Sequence, residues 1–458
     1  MSVKKGLAKN LGAGIWSRSS TILFRLIQVP LIISALGVED YGRWLVLYSL
    51  PSWLTLANMG FGSVASNEMV MSVADGDITK ARQIFSTALA IIAMIGVGCM
   101  VIVSAGAFFV PWEHLLKADA SRHTEFSFAV IYLALTVFIS FSSEAFGGRF
   151  RAARKAHLRV LLTSFLPWIS LVGMIVILQF TKRFDYLALS QLIATIIFFF
   201  IYQWTSWRVL PDLSFSVKQI QFSHSKFLLK KGVAFQAFPL GNALIFQGNI
   251  LIVQSVLGPG AVALFGTART LVRTVNQAME MINQAIWPEM SHLFGAKDFN
   301  KAARLHRTGV MMSISLSIVG LLVLSLFGKT LYGFWVGKSM ELPQYLLLLF
   351  LLPIPFNALW LTSSVVHMAS NRHEGLAVRY LIATVISAIA CAILSYTLGI
   401  EGAAFSTLIA DVILIPYVLK RSLDLTKDNS HDFYAGVWQN IKDIPFTTNK
   451  LIKRLKRS

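Results

Sequence analysis

Four arginines stand where a guanidinium is costly. Arg18 and Arg25 fall in the apolar stretch 11–36, and Arg269 and Arg273 in the stretch 261–291. At about 100° per residue, a seven-residue spacing leaves Arg18 and Arg25 only about 20° apart around a helix. Gly14, Thr21 and Gln28 complete that stripe. Arg269 and Arg273 are an i,i+4 pair and share a face, which Asn276 and Glu280 extend. A polar stripe on an apolar helix belongs against a cavity or a protein neighbour, not against lipid. Guanidinium stays charged at any working pH, and its planar fork of donors suits phosphate-class anions. The desolvation cost, about 2.5–3.5 kcal/mol per arginine at the bilayer midplane on insertion scales, is offset whenever such an anion is bound. The plainer readings are that Arg18 snorkels to the headgroups, that Arg25 snorkels or sits in a static ion pair, and that Arg269 and Arg273 pair with Glu280 or a neighbouring helix.

The elements that position these residues are read from composition. The chain has 458 residues, 55% hydrophobic and 14% charged, with mean hydropathy +0.64. A soluble domain carries about 25% charged residues. Apolar stretches long enough to cross a bilayer, about 20 residues each, recur along nearly the whole length. Twelve are predicted: 11–36, 41–71, 83–111, 124–148, 157–181, 185–207, 228–257, 261–291, 305–327, 342–368, 375–398 and 401–420. The expected fold is all-α, a polytopic membrane protein of twelve transmembrane helices in two six-helix lobes related by a parallel repeat. The expected division is 1–210 for the first lobe, 211–227 for a cytoplasmic connection, 228–420 for the second lobe and 421–458 for a basic tail. No cleavable signal stands out behind "MSVKKGLAKN", so the first helix is expected to stay.

Charge sets the orientation. Of 41 Lys and Arg, thirty fall on the side that holds both termini and seven on the other. The four left over are the intramembrane arginines. The positive-inside bias places both termini in the cytoplasm, and it accounts for the net charge of +19 without a nucleic-acid partner. The tail "NKLIKRLKRS" suits anionic lipid or free solvation.

The repeat shows as collinear matches. At an offset of 221, "SALG" at 34–37 meets "SVLG" at 255–258, Asp77 meets Asp298, and Lys80 meets Lys301. Further on, at 216, "SQLIAT" from Ser190 meets "STLIAD" from Ser406. Six spans per repeat, an even number, insert both halves the same way round. The arginine pairs are not mirrored: Arg25 aligns with Phe246 and Arg273 with Ser52.

Two stretches carry a family resemblance. "LGVEDYGRWLVLYSLPSWLTLANMGFGS" resembles the first-loop and second-helix signature of polysaccharide flippases. "VLGPGAVALFGTARTLVRTVNQAMEMINQAIWPEMSHLFGAKDFNKAAR" resembles their seventh-to-ninth-helix signature. The chain thus resembles a Wzx-type O-antigen flippase of the multidrug/oligosaccharidyl-lipid/polysaccharide exporter superfamily. The resemblance implies two six-helix lobes in a V. It implies transport of an undecaprenyl-pyrophosphate-linked oligosaccharide between the leaflets of the bacterial inner membrane, and no enzyme activity. Membrane lipids, a polysaccharide polymerase and a chain-length regulator are the implied partners, and a monomer is expected. Many relatives place Asp where Asn58 stands before "GFG", so a coupling role attached to that carboxylate does not carry over.

Arg18, Arg25, Arg269 and Arg273 are the expected pyrophosphate contacts. Gln28, Asn58, Gln247 and Asn276 are the expected polar contacts to sugar or cavity. Span 7 also carries Gln236, Asn242, Asn249 and Gln254, with Gln236, Gln247 and Gln254 sharing a face by 11 and 7 spacing; such amides equally suit interhelical hydrogen bonds. Asp411 and Glu280 are mid-span acids that could take a proton or help hold Na⁺; a plain ion-pair role stands beside this for each. Glu68, Glu144 and Glu289 lie nearer cytoplasmic helix ends, and Glu68 and Glu289, matched through the repeat, are expected to close helix ends against nearby Lys or Arg. Pro30, Pro51, Pro239, Pro353 and Pro355 offer kinks for alternating access, though proline is also ordinary in membrane helices. The nine histidines and two cysteines show no metal spacing, and no cofactor is expected. No phosphate loop or nucleophile elbow appears. A cation-coupled multidrug exporter is the alternative function, though four arginines suit its cargo poorly. A membrane glycosyltransferase or polymerase is less apt, because every outer loop is short.

Overall fold

A computed structural model describes the backbone at 3–58, 61–221, 236–337 and 339–438, without the side chains at 3–11, 15, 58, 61 and 63. Among the described residues there are helices and no strands. The helices are α1 (Val3–Leu36), α2 (Val38–Leu54), α3 (Phe61–Ala74), α4 (Ile78–Ala107), α5 (Trp112–Leu116), α6 (His123–Ala152), α7 (Ala156–Thr163), α8 (Leu166–Phe180) and α9 (Phe184–Val209). They continue with α10 (Ala237–Ala243), α11 (Asn249–Leu257), α12 (Pro259–Gly295), α13 (Phe299–Val336), α14 (Gln344–Leu351), α15 (Pro353–Ala369) and α16 (Glu374–Thr426).

Nine helical stretches among the described residues are long and apolar enough to cross a membrane. Three further crossings have physical reasons for escaping that count. The second span is broken into α2, a 3-10 turn at Thr55–Asn58, and α3. The eighth, α12, carries its own charged stripe. α16 is two helices joined at Gly399, whose φ of 66° and ψ of −143° are not helical. Twelve spans follow, as expected.

The repeat is legible in backbone geometry. Gly37 has φ 87°, ψ 170° and Gly258 has φ 93°, ψ −179°, so the "SALG" and "SVLG" turns close alike. Asp77 caps α4 by accepting from the Lys80 N–H at 2.9 Å, and Asp298 caps α13 by accepting from the Lys301 N–H at 3.1 Å. A side-chain acceptor there satisfies a donor the helix start leaves open. The Lys301 hydrogen bonds hold the Asp298 carboxyl below its ordinary range.

The chain divides into two compact units, 1–263 and 264–458. The first has its core where α4, α6 and α9 meet: Phe85, Phe146, Phe150 and Tyr202 are buried together with Leu213, from the segment that follows α9. Gln254 is buried and donates to the Leu115 carbonyl at 3.0 Å, which ties α11 to α5. Within this unit the two signature stretches touch. A Cβ on Gly42 would lie 1.9 Å from the Pro259 carbonyl oxygen, so only glycine lets "YGRW" and "LGPG" pack. In the second unit Val310, Leu419, Leu423, Phe433 and Val437 form one cluster. It seats a short helix at 430–438 that Arg307 and Asp428 also anchor by an ion pair.

Candidate functional site

α1 presents two faces. Trp16, Ser20 and Phe24 meet α7 and α8: the Trp16 indole donates to Ser164 Oγ at 3.0 Å, the Trp168 indole donates to Ser20 Oγ at 2.6 Å, and Phe24 meets the Trp168 ring edge-on at 6.4 Å. Helical geometry puts Arg18 and Arg25 about 150° round from that seam. Both are half-buried, as is Gln28, and a Cβ on Gly14 would meet nothing within 4 Å. Arg25 lies within electrostatic reach of the Tyr48 hydroxyl on α2. Asn58 ends the 3-10 turn that breaks the second span; its side chain lies outside the described residues.

In the second unit α12 buries Phe265, Ala268, Val272, Val275 and Met279 along one face. Arg269, Arg273, Asn276 and Glu280 lie about 90° round from it and are half-buried. The Arg269 guanidinium sits over the Phe265 ring at 5.2 Å. Asn276 Oδ1 is buried and accepts no hydrogen bond from the described residues. Each stripe rests within its own unit.

Span 7 departs from simple helical arithmetic. A π turn at Leu244–Gly248 separates α10 from α11, so the 11-residue step from Gln236 to Gln247 no longer sets a shared face. Gln247 lies in that turn and is half-buried, Asn242 is exposed, and Asn249 is fully buried, its side-chain polar atoms making no hydrogen bond among the described residues. Of the helix-end acids, Glu144 accepts from Arg159 at 2.7 Å. Glu289 is exposed and makes no ion pair among the described residues, because water there serves it as well as a cation would. The proline positions behave differently from one another: Pro30 and Pro51 stay inside continuous helices, whereas Pro353 restarts the chain as α15.

Asp411 is held in a way its sequence position does not reveal. It is 7% exposed. Its Oδ1 accepts from the Trp360 indole at 2.6 Å and from the Asn357 amide at 3.2 Å. The Trp360 ring packs on Tyr380 at 5.8 Å. Among the described residues Asp411 makes no salt bridge. A buried carboxylate with neutral donors and no cation is expensive as an anion, and protonation relieves that cost. Asn357 and Trp360, an i,i+3 pair on α15, were not singled out from sequence; the signal available was two polar-tipped side chains one turn apart in an apolar span.

Residues 7–294 match the family described as polysaccharide biosynthesis protein. The chain belongs to that family. Among curated relatives it is 19% identical over 446 residues to the uncharacterized membrane protein EpsK of Bacillus subtilis (strain 168), covering 93% of this chain and 85% of that one. Its fold is similar to an inward-facing MATE family multidrug resistance transporter of the MOP superfamily, with TM-score 0.75 at 14% identity over 90% of this chain and 96% of the other. It is also similar to the lipid II flippase MurJ in an inward closed conformation, with TM-score 0.71 at 14% identity over 97% and 98%. The family is thus polysaccharide biosynthesis, and the fold is similar to that of these two membrane transporters.

Proposed function

We propose that the protein is a flippase for an undecaprenyl-pyrophosphate-linked oligosaccharide, an O-antigen or similar surface-polysaccharide repeat unit, moved from the inner to the outer leaflet of the bacterial cytoplasmic membrane by alternating access. The observation that carries this reading is the pair of arginine stripes, Arg18 and Arg25 on α1 and Arg269 and Arg273 on α12, in a chain of the polysaccharide biosynthesis family whose other basic residues mark loops and helix ends. The arginines receive the pyrophosphate. Gln28, Asn58, Gln247 and Asn276 meet the sugar. A cation gradient drives the cycle through Asp411, with Glu280 as the second acid; H⁺ fits Asp411 because both of its partners donate N–H groups. The lobes are 1–210 and 228–420, joined by 211–227, with the termini and the basic tail in the cytoplasm. The working form is a monomer that passes its cargo to a polymerase and a chain-length regulator.

The test is surface polysaccharide in cells that depend on this gene, with protein level checked. Arg25→Ala and Arg273→Ala abolish polymer, and the Lys variants restore part of it, since ammonium keeps the charge but loses the fork. Normal polymer from both Ala variants would sink the reading. The MATE-like fold makes multidrug export the second reading, and efflux of a cationic dye that is unaffected by all four Arg→Ala changes would favour it.

A further inference from the structure

The first unit carries a groove that transport as proposed above does not use. α4, α6 and α9 leave between them a trough of about 1290 Å³. Its long walls are hydrocarbon and aromatic: Ala93, Val97 and Val101 on α4, Phe138 on α6, Ile196 and Phe200 on α9. From Leu89 to Ser104 the α4 wall runs about 22 Å at 1.5 Å per residue, most of a hydrocarbon core of about 30 Å. One end is different. There the lining is Arg149, Gln203, Trp207 and Ser214.

Arg149 decides what fits. It is 3% exposed. Its Nε donates to the Leu213 carbonyl at 2.9 Å, its Nη2 donates to the same carbonyl, and its Nη1 donates to Ser206 Oγ at 3.1 Å. The Phe85 and Phe146 rings lie 4.2 and 5.5 Å from the guanidinium carbon. Every one of these partners is neutral, and a guanidinium has five N–H donors, so among the described residues no carboxylate meets the charge and two donors have no acceptor. Nearby, Arg82 donates to the Asp212 carbonyl at 2.9 and 2.7 Å, Arg208 lies over the Trp204 ring at 4.2 Å, and Lys218 is exposed in the same segment. None of these three forms a salt bridge among the described residues. A trough of hydrocarbon walls ending in a buried guanidinium, an amide and an indole, with further basic residues on the same segments, has the form of an anionic amphiphile's site.

We propose that this groove seats an anionic phospholipid, one acyl chain lying along α4, α6 and α9 and the phosphate at the Arg149, Gln203 and Trp207 end. The same guanidinium fastens the segment after α9, where Leu213 is fully buried. Bound phosphate therefore compensates the charge that closes the first unit at that end.

The experiment is native mass spectrometry of the full-length protein in detergent, titrated separately with phosphatidylglycerol, phosphatidylethanolamine and undecaprenyl phosphate. Wild type retains phosphatidylglycerol in preference to phosphatidylethanolamine. Val97→Trp fills the trough from an exposed position and abolishes that retention. Arg208→Gln weakens it about fivefold, the loss of one basic residue near a lipid phosphate. Arg149→Gln removes the preference for the anionic lipid; should that variant fail to fold, Val97→Trp and Arg208→Gln carry the test. Equal retention of the two phospholipids, or phosphatidylglycerol binding indifferent to Val97→Trp, overturns the proposal. Displacement of phosphatidylglycerol by equimolar undecaprenyl phosphate in wild type but not in Val97→Trp also overturns it, and assigns the groove to the carrier lipid's chain.

Discussion

The polar residues divide into those whose placement shows as periodicity and those whose placement depends on a distant partner. Arg18 and Arg25 belong to the first kind. Their seven-residue spacing fixes a face on any helix, and that face lies away from the α7–α8 seam. Asp411 belongs to the second. Its partners Asn357 and Trp360 stand 54 and 51 residues earlier in the chain, and no local pattern links them. If Asp411 carries the coupling proton, Asp411→Asn leaves a folded protein whose transport into vesicles no longer responds to an imposed pH gradient. An unchanged response would remove the residue from the coupling step. The amide keeps an oxygen for the Trp360 indole to reach, so stability should change little by comparison.

Elements in this protein are set by ends and crossings more than by hydrophobicity, which is plentiful everywhere. Asp77 and Asp298 start α4 and α13 with the same cap, and that equivalence is the repeat made visible. Asp77→Ala is expected to cost about 1 kcal/mol, measured as a lower denaturation midpoint in detergent. Gly42 is the more demanding position. With the Pro259 carbonyl where its Cβ would be, Gly42→Val forces backbone apart, and the loss should exceed the roughly 1–3 kcal/mol of ordinary overpacking. The readout is folded yield by size-exclusion chromatography, where a profile like wild type would contradict the contact. Sequence showed both glycine-bearing signatures but not that they touch, because a close approach leaves no mark beyond a single missing side chain.

At the scale of the whole molecule, the uneven distribution of Lys and Arg makes a claim about topology that fold likeness alone does not address. With Cys99 and Cys391 replaced by Ser, a cysteine at Ala118 or Lys182 should react with an impermeant maleimide in intact cells. A cysteine at Asp75 or Lys297 should react only after permeabilisation. The reverse pattern would invert the protein and, with it, the direction of the proposed transport.

Composition, span length, charge asymmetry and the collinear repeat were enough to determine an all-helical membrane protein of twelve spans, because each is a one-dimensional property that the bilayer reads directly. The arginine stripes were equally legible, since helical periodicity converts spacing into a face. Tertiary structure alone decided the rest. It broke the second span at Thr55–Asn58, placed a π turn in the seventh, gave Asp411 its indole and amide, and left Arg149 with neutral partners at the end of an apolar trough. Those outcomes depend on which side chains from remote segments reach one another, and a buried polar group is defined by its neighbours rather than by its place in the chain.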